Sequence, residues 1–145
     1  MVATTIVSLL VLDGRHAEDM RTLDEAVRKI SLMRSLQPGI SQSDNARAIQ
    51  QWQAVYRDLA PILRAVPARD EASRILKLDI IGQHAQLGDL AERLTNERTG
   101  SEVREMVAAQ LTVRSASMVS DILTIRDMSD RQIRRETQIL TGGVA

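Results

Sequence analysis

The chain has 145 residues with 19 basic and 19 acidic side chains, so its formal net charge is zero and no global field draws it to nucleic acid. It has no cysteine, which excludes disulfides, thiolate metal sites and cysteine nucleophiles. Aromatic residues make up 1% of it, Trp52 and Tyr56 alone, so a core must be built from Leu, Ile, Val, Met and Ala, a palette that suits close helix–helix packing.

The length fits one domain over residues 1–145 that buries a core without staples. It opens on TTIVSLLVL, Thr4 to Leu12, and turns polar at Asp13. The apolar run over 2–12 is about half of the ~20 residues that a bilayer span needs. It has neither a basic leader nor a small-residue cleavage site, so it does not read as a signal peptide. Two explanations remain: the stub of a membrane-spanning helix in an excised piece, or an amphipathic first helix in a complete cytosolic protein. A strand turning at Asp13-Gly14 is a third form, which needs an oligomer to pair it.

A first helix is expected over about 5–36, with a seam of Met20, Leu23, Val27, Ile30 and then Met33 or Arg34. Traced backwards, the same spacing reaches His16, Asp13, Leu9 and Ile6. Gln37-Pro38-Gly39 reads as its end. A second helix follows over about 44–66, capped by Ser43 or Asp44, with the seam Ile49, Trp52, Tyr56, Leu59, Leu63, Val66. Pro61 inside it removes a backbone donor and is expected to kink it.

Val66-Pro67-Ala68-Arg69-Asp70 is the next turn. A third helix is expected over about 70–96, with Leu76, Ile80, Gln83 or His84, Leu87, Leu90 or Ala91, and Leu94 inward. Gly82 and Gly88 weaken it and permit a close neighbour. After 96–101 a fourth helix starts at Ser101, or at Thr99 with Glu102 in a capping box. It runs to about 140 and ends at Gly142-Gly143. Its seam is Val103, Val107, Leu111, Met118, Ile122, Ile125, then Gln132 or Ile133, Glu136 and Ile139.

Short connections between such helices give an all-α, antiparallel up-down-up-down four-helix bundle with long first and last helices. Both termini then lie at one pole. The apolar start and the stretch from Ile133 to Leu140 overhang the bundle together there, as they would if the outer helices entered a bilayer.

Long–short–short–long helices with this polarity resemble the four-helix-bundle periplasmic sensor domains of bacterial chemoreceptors and sensor histidine kinases. Ser31-Leu32-Met33-Arg34-Ser35 is similar to the helix-1 box of nitrate-type sensors, with Met and Arg exchanged, which turns the guanidinium by about 100° around the helix. The resemblance implies a homodimer formed mainly through the first helix. It also implies a small ligand, an anion or organic acid, bound near the membrane-distal end, and signalling by displacement of the fourth helix. Periplasmic location and membrane attachment through segments outside this chain follow from the same resemblance.

Arg28, Arg34, Arg47, Arg98 and Arg104 fall at the distal end in this topology, with Thr112 and Arg114 one to two turns deeper. Arginine is suited to carboxylates and oxyanions because its fork donates two parallel hydrogen bonds. Asp13 and His16 sit on the apolar stripe near the other pole, facing the stretch of the fourth helix that holds Asp130, Arg131, Gln132 and Arg134. A polar layer there is a structural network or a packing switch.

A cytosolic four-helix signalling module is the alternative, phosphotransfer-like or an adaptor. His84-Ala85-Gln86-Leu87-Gly88 resembles the His-x-x-Lys-Gly motif of histidine phosphotransfer domains, with Leu87 in place of the lysine. Enzyme chemistry is not expected: there is no Gly-rich phosphate loop, His-Glu-x-x-His or Ser elbow. With two histidines and no Glu-x-x-His pair, no metal or cofactor is expected either.

Overall fold

A computed structural model describes residues 2–41, 45–96 and 98–142, with Val2 described by its backbone alone. Four helices fill the described residues: α1 (Val2–Ile40), α2 (Ala46–Arg64), α3 (Glu71–Thr95) and α4 (Ser101–Gly142). Neighbours in sequence pack side by side, and α1 closes the ring against α4, giving the expected up-down-up-down bundle. The outer helices have 39 and 42 residues and the inner two 19 and 25. At 1.5 Å per residue, α1 and α4 are roughly 60 Å long, against about 30–40 Å for α2 and α3.

The core follows the helical period. Leu23, Ala26, Ile30 and Met33 of α1 meet Trp52, Val55, Leu59 and Leu63 of α2, Ile80, Leu87, Leu90 and Leu94 of α3, and Leu111, Met118, Ile122 and Ile125 of α4. Each fully buried Leu, Ile or Met stabilises the bundle by about 1.5–3 kcal/mol relative to its exposed state. Met33 takes the inward position that Arg34 was set against, and Arg34 is exposed. On α2 the buried register is Ala48, Trp52 and Val55, with Ile49 and Tyr56 packed on its flank. Val103, expected in the seam, is exposed, and burial along α4 starts at Val107.

Gln37-Pro38-Gly39 is not a turn, because α1 continues through it to Ile40. Proline costs the helix only the bond to the carbonyl four residues back, here that of exposed Arg34. Gly39 serves a close approach: a Cβ there would stand 2.6 Å from the Ala48 Cβ, so the end of α1 lies directly on the start of α2. Ile40 is buried beneath this contact.

The caps differ from expectation in detail. Ser43, Asp44 and Gly143 lie outside the described residues. Asn45 caps α2, its Oδ1 accepting from the Ala48 N–H at 3.1 Å. Asp70 caps α3, its Oδ1 accepting from the Ser73 N–H at 2.7 Å, and hydrogen bonding from the Ser73 side chain and then from its backbone holds the carboxyl below its ordinary pKa. No Thr99–Glu102 capping box forms: the Thr99 hydroxyl donates to the Arg93 carbonyl at 2.8 Å, and the Arg104 N–H reaches the Gly100 carbonyl at 3.0 Å. α2 remains helical through Pro61, and the Ala65 N–H closes on the Pro61 carbonyl at 3.1 Å.

The two long helices outrun the core. No described side chain of α1 before Leu23, nor of α4 after Ile125, is buried. The Arg69 guanidinium donates to Asp19 Oδ2 at 2.8 and 3.2 Å, which sets the α2–α3 connection beside Asp19. Beyond that level α1 and α4 pair with each other. One groove between them is lined by Ile6, Leu9, Leu10, Leu12, Asp13, Ile133 and Thr137. On the opposite side of the pair, Val7, Val11, Ile139 and Leu140 line another. Leu9 and Ile139 thus stand at the same pole, where Leu10 is 66% and Ile139 74% exposed. No helix of the described residues is long and apolar enough to cross a membrane.

Candidate functional site

At the opposite pole α1 and α4 form a shallow groove of about 460 Å³ lined by Ser31, Arg34, Ser35, Gln37, Pro38 and Thr112. Helical spacing brings 31, 34, 35 and 38 to one side of α1. Because Met33 is drawn into the core, the next residue is turned outward, which places the Arg34 guanidinium at the groove. Among the described residues Arg34 has no acidic partner. Gln37 ties the floor to α4: its Nε2 donates to the Ala108 carbonyl at 3.0 Å and to Thr112 Oγ1 at 2.9 Å. The Thr112 hydroxyl donates in turn to Ala108 at 3.1 Å, and the Ser35 hydroxyl to the Leu32 carbonyl at 2.7 Å. A free cation, two serine hydroxyls and an amide clamp suit a small oxyanion.

Of the six ligand candidates, only Arg34 and Thr112 come together. Arg28 follows the same face of α1 one turn toward the middle, exposed and outside the groove. Arg47 is exposed in the first turn of α2. Arg104 is a structural tie, with Nη2 donating to the Asn96 carbonyl at 3.1 Å and Nε buried without a partner. Arg98 is exposed on the α3–α4 connection, where its backbone N–H donates to Asn96 Oδ1 at 3.0 Å. Arg114 lines a different groove, between α3 and α4.

That second groove went unnoticed in the sequence. Its volume is about 670 Å³, and Leu78, Asp79, Gln83, Ala109, Val113 and Arg114 are among its lining residues. The Gln83 amide donates from Nε2 to Asp79 Oδ2 at 2.5 Å and lies 3.4 Å from Asp121 Oδ2. Burial, together with the neighbouring Asp79 carboxylate, pushes the Asp121 carboxyl up to about 6. Gln83 itself is 8% exposed, and its Oε1 has no partner. The one sequence signal was the pair Asp79 and Gln83 at i,i+4 on the flank of the α3 seam.

Near the other pole the expected polar layer forms in part. His16 Nε2 meets Asp130 Oδ1 at 3.0 Å across α1 and α4. Asp13 stays exposed, and Arg131 pairs within its own helix, to Asp127 at 2.6 Å. Gln132 Nε2 donates to Glu136 Oε1 at 3.2 Å, also within α4.

His84 is packed, 8% exposed, with its ring stacked on Tyr56 at 4.0 Å and its Nε2 2.9 Å from the Tyr56 carbonyl. A carbonyl only accepts, so Nε2 carries the proton. Burial holds the ring below its ordinary pKa, opposed by that hydrogen bond. Trp52 extends the stack, with its ring centroid 5.3 Å from that of Tyr56. Comparison of the chain with family models, with curated proteins and with solved structures returned no match.

Proposed function

We propose that this chain is the extracytoplasmic ligand-binding part of a transmembrane signalling receptor, of the chemoreceptor or sensor-kinase kind, working as a homodimer in the periplasm. The observation that carries the reading is the apolar pole. Exposed Ile6, Val7, Leu10 and Val11 of α1 stand beside exposed Ile139 of α4, past the last buried residues of both helices. Water gives such an arrangement no stabilisation, whereas the lower edge of a bilayer does. Membrane-spanning segments outside this chain would continue the two rods.

The ligand end of the proposal is the groove of Ser31, Arg34, Ser35 and Thr112, and the ligand is a small anion such as nitrate or a carboxylate. It bridges α1 and α4, so an anion there binds one relative placement of those helices more tightly than another. The bias passes along α4 toward the membrane pole. A second copy packed on α1 would deepen the groove. The phosphotransfer alternative gains nothing from the packing, since His84 is enclosed and its Nε2 is held by the Tyr56 carbonyl.

The test is a heteronuclear NMR titration with sodium nitrate, sodium succinate and sodium chloride at matched ionic strength. Nitrate or succinate should shift the amides around Arg34, Gln37 and Thr112 saturably, and Arg34→Gln should abolish the response. If neither anion outdoes chloride at these positions, the ligand assignment fails.

A further inference from the structure

On one side of the overhanging α1–α4 pair, two cavities run into each other. The outer one, about 490 Å³, has apolar walls of Val7, Val11, Ile139 and Leu140. The inner one, about 510 Å³, is polar: His16, Asp19 and Ser129 line it, together with Arg69 from the α2–α3 connection. Leu12, Arg15 and Glu136 line both, so they form the waist of a single cleft. Helical spacing accounts for the continuity, since Ser8, Leu12, Arg15 and Asp19 share one face of α1, and Ser129, Gln132, Glu136 and Leu140 one face of α4. From Val7 to Asp19 the cleft is about 18 Å long, twelve residues at about 1.5 Å each.

The charges at the waist are uncompensated. Among the described residues Arg15 has no acidic partner and Glu136 no basic one, and the two do not pair with each other. Glu136 Oε1 accepts the Gln132 amide alone. Deeper in, the charges are already matched: Asp19 holds Arg69 at 2.8 Å, and His16 meets Asp130 at 3.0 Å. Ser129 adds a hydroxyl donor to that chamber. One cleft thus has an apolar end, a polar end, and a cation and an anion facing the junction between them.

We propose that this cleft holds one molecule of a zwitterionic phospholipid, with its headgroup at the waist and in the inner chamber and its acyl chain along the outer groove toward the helix tips. The phosphate takes Arg15 and the Ser129 hydroxyl, and the ammonium takes Glu136. A headgroup of one sign fits less well: an anionic one would satisfy Arg15 and face the Glu136 carboxylate, and a cationic one would do the reverse. The chain covers Val7, Val11 and Ile139, which otherwise meet water. The apolar end of the cleft opens at the pole assigned to the bilayer, so a lipid can enter headgroup first while its chain stays in apolar surroundings. In taking its lipid from a bilayer the inference rests on that reading of the pole, although a dissolved monomer can fill the same cleft.

Isothermal titration calorimetry on the whole chain tests this with lauroyl lysophosphatidylethanolamine, lauroyl lysophosphatidylglycerol and laurate, each below its micellar concentration. The ethanolamine lipid should bind saturably and more tightly than the other two. Arg15→Gln should weaken both lysolipids by about tenfold or more, the loss expected for one charge-assisted contact. Glu136→Gln should weaken the ethanolamine lipid alone, so that it binds no better than the glycerol lipid, a change of preference that a merely structural role would not produce. Thermal melts of both variants verify that they remain folded. Equal affinity for the three amphiphiles, or an unchanged preference in folded Glu136→Gln, would overturn the proposal. Flotation of the chain with phosphatidylcholine vesicles reads the pole separately. Flotation without binding of the ethanolamine lysolipid would keep the membrane pole and reject the cleft, whereas binding of that lysolipid by a chain that does not float would uphold the cleft and reject the pole.

Discussion

Two glycines on α3 give opposite answers to one substitution. Gly82 and Gly88 both lie inside the helix, where alanine is favoured over glycine by about 0.5–1 kcal/mol. A Cβ on Gly82 would meet nothing within 4 Å, so Gly82→Ala should realise that gain and raise Tm by about 2–4 °C. A Cβ on Gly88 would stand 2.5 Å from the Tyr56 hydroxyl oxygen and 2.9 Å from Cζ. The Tyr56 ring is not free to retreat, since Trp52 stacks on it at 5.3 Å and His84 at 4.0 Å. Overpacking of this kind costs about 1–3 kcal/mol, and disturbing the stack about 0.5–1.5 kcal/mol more. After the helical gain is subtracted, Gly88→Ala should destabilise by about 1–3 kcal/mol. Urea unfolding at 25 °C reads both changes as shifts in midpoint at constant slope. Adding Tyr56→Phe to Gly88→Ala should recover part of the loss by removing the nearest atom. Equal stabilisation by the two alanines would refute the stacked packing of Tyr56.

Asp121→Asn should raise stability by on the order of 1 kcal/mol at pH 7.5 and by nothing at pH 4, after discounting for solvent access. The sign follows from the raised carboxyl: the folded chain holds a proton that the unfolded chain releases near pH 4. That stability is full below pH 4 and is lost as pH rises through about 6. His84 tilts the other way, because its lowered pKa makes the fold lose stability as pH falls below about 6.5. Urea midpoints of variant and parent across pH 4–8 isolate the aspartate, and a pH-independent difference would show that Asp79 and Asp121 do not share a site. Leu87→Ala, at a position with no exposure, should cost about 2–5 kcal/mol in the same assay, whereas Ile139→Ser should stay within about 0.5 kcal/mol. A large loss at Ile139 would mean that the overhanging end of α4 is core.

The bundle was legible because its seams are strong. Leu59, Leu63, Leu87, Leu94, Met118 and Ile122 repeat at helical spacing, and Pro67, Asp70 and Gly100 punctuate the connections as their backbone chemistry requires. Pro38-Gly39 misled because the same residues serve a helix end and a close helical approach. Only the nearness of Ala48 separates the two uses, and that is a tertiary fact. Arg34 and Thr112 were found together by asking which arginines the topology sends to the distal pole. Arg104 was not separable from Arg34 by that criterion, because its bond to the Asn96 carbonyl depends on how the α3–α4 connection folds back. The Asp79–Gln83–Asp121 cluster stayed hidden since Asp121 is 38 residues from Gln83 and flanks the seam residue Ile122.

The receptor reading rests on the pole where α1 and α4 overhang. Since the chain has no cysteine, single cysteines at Leu10, at Ile139 and, as a control, at Ser35 can each carry an environment-sensitive fluorophore. With phospholipid vesicles added, the labels at 10 and 139 should shift to the blue and become protected from an aqueous quencher, while the label at 35 stays unchanged. Labels at 10 and 139 that remain as wet as the control, or a control that responds equally, would contradict a molecule standing on a membrane by its paired helix ends.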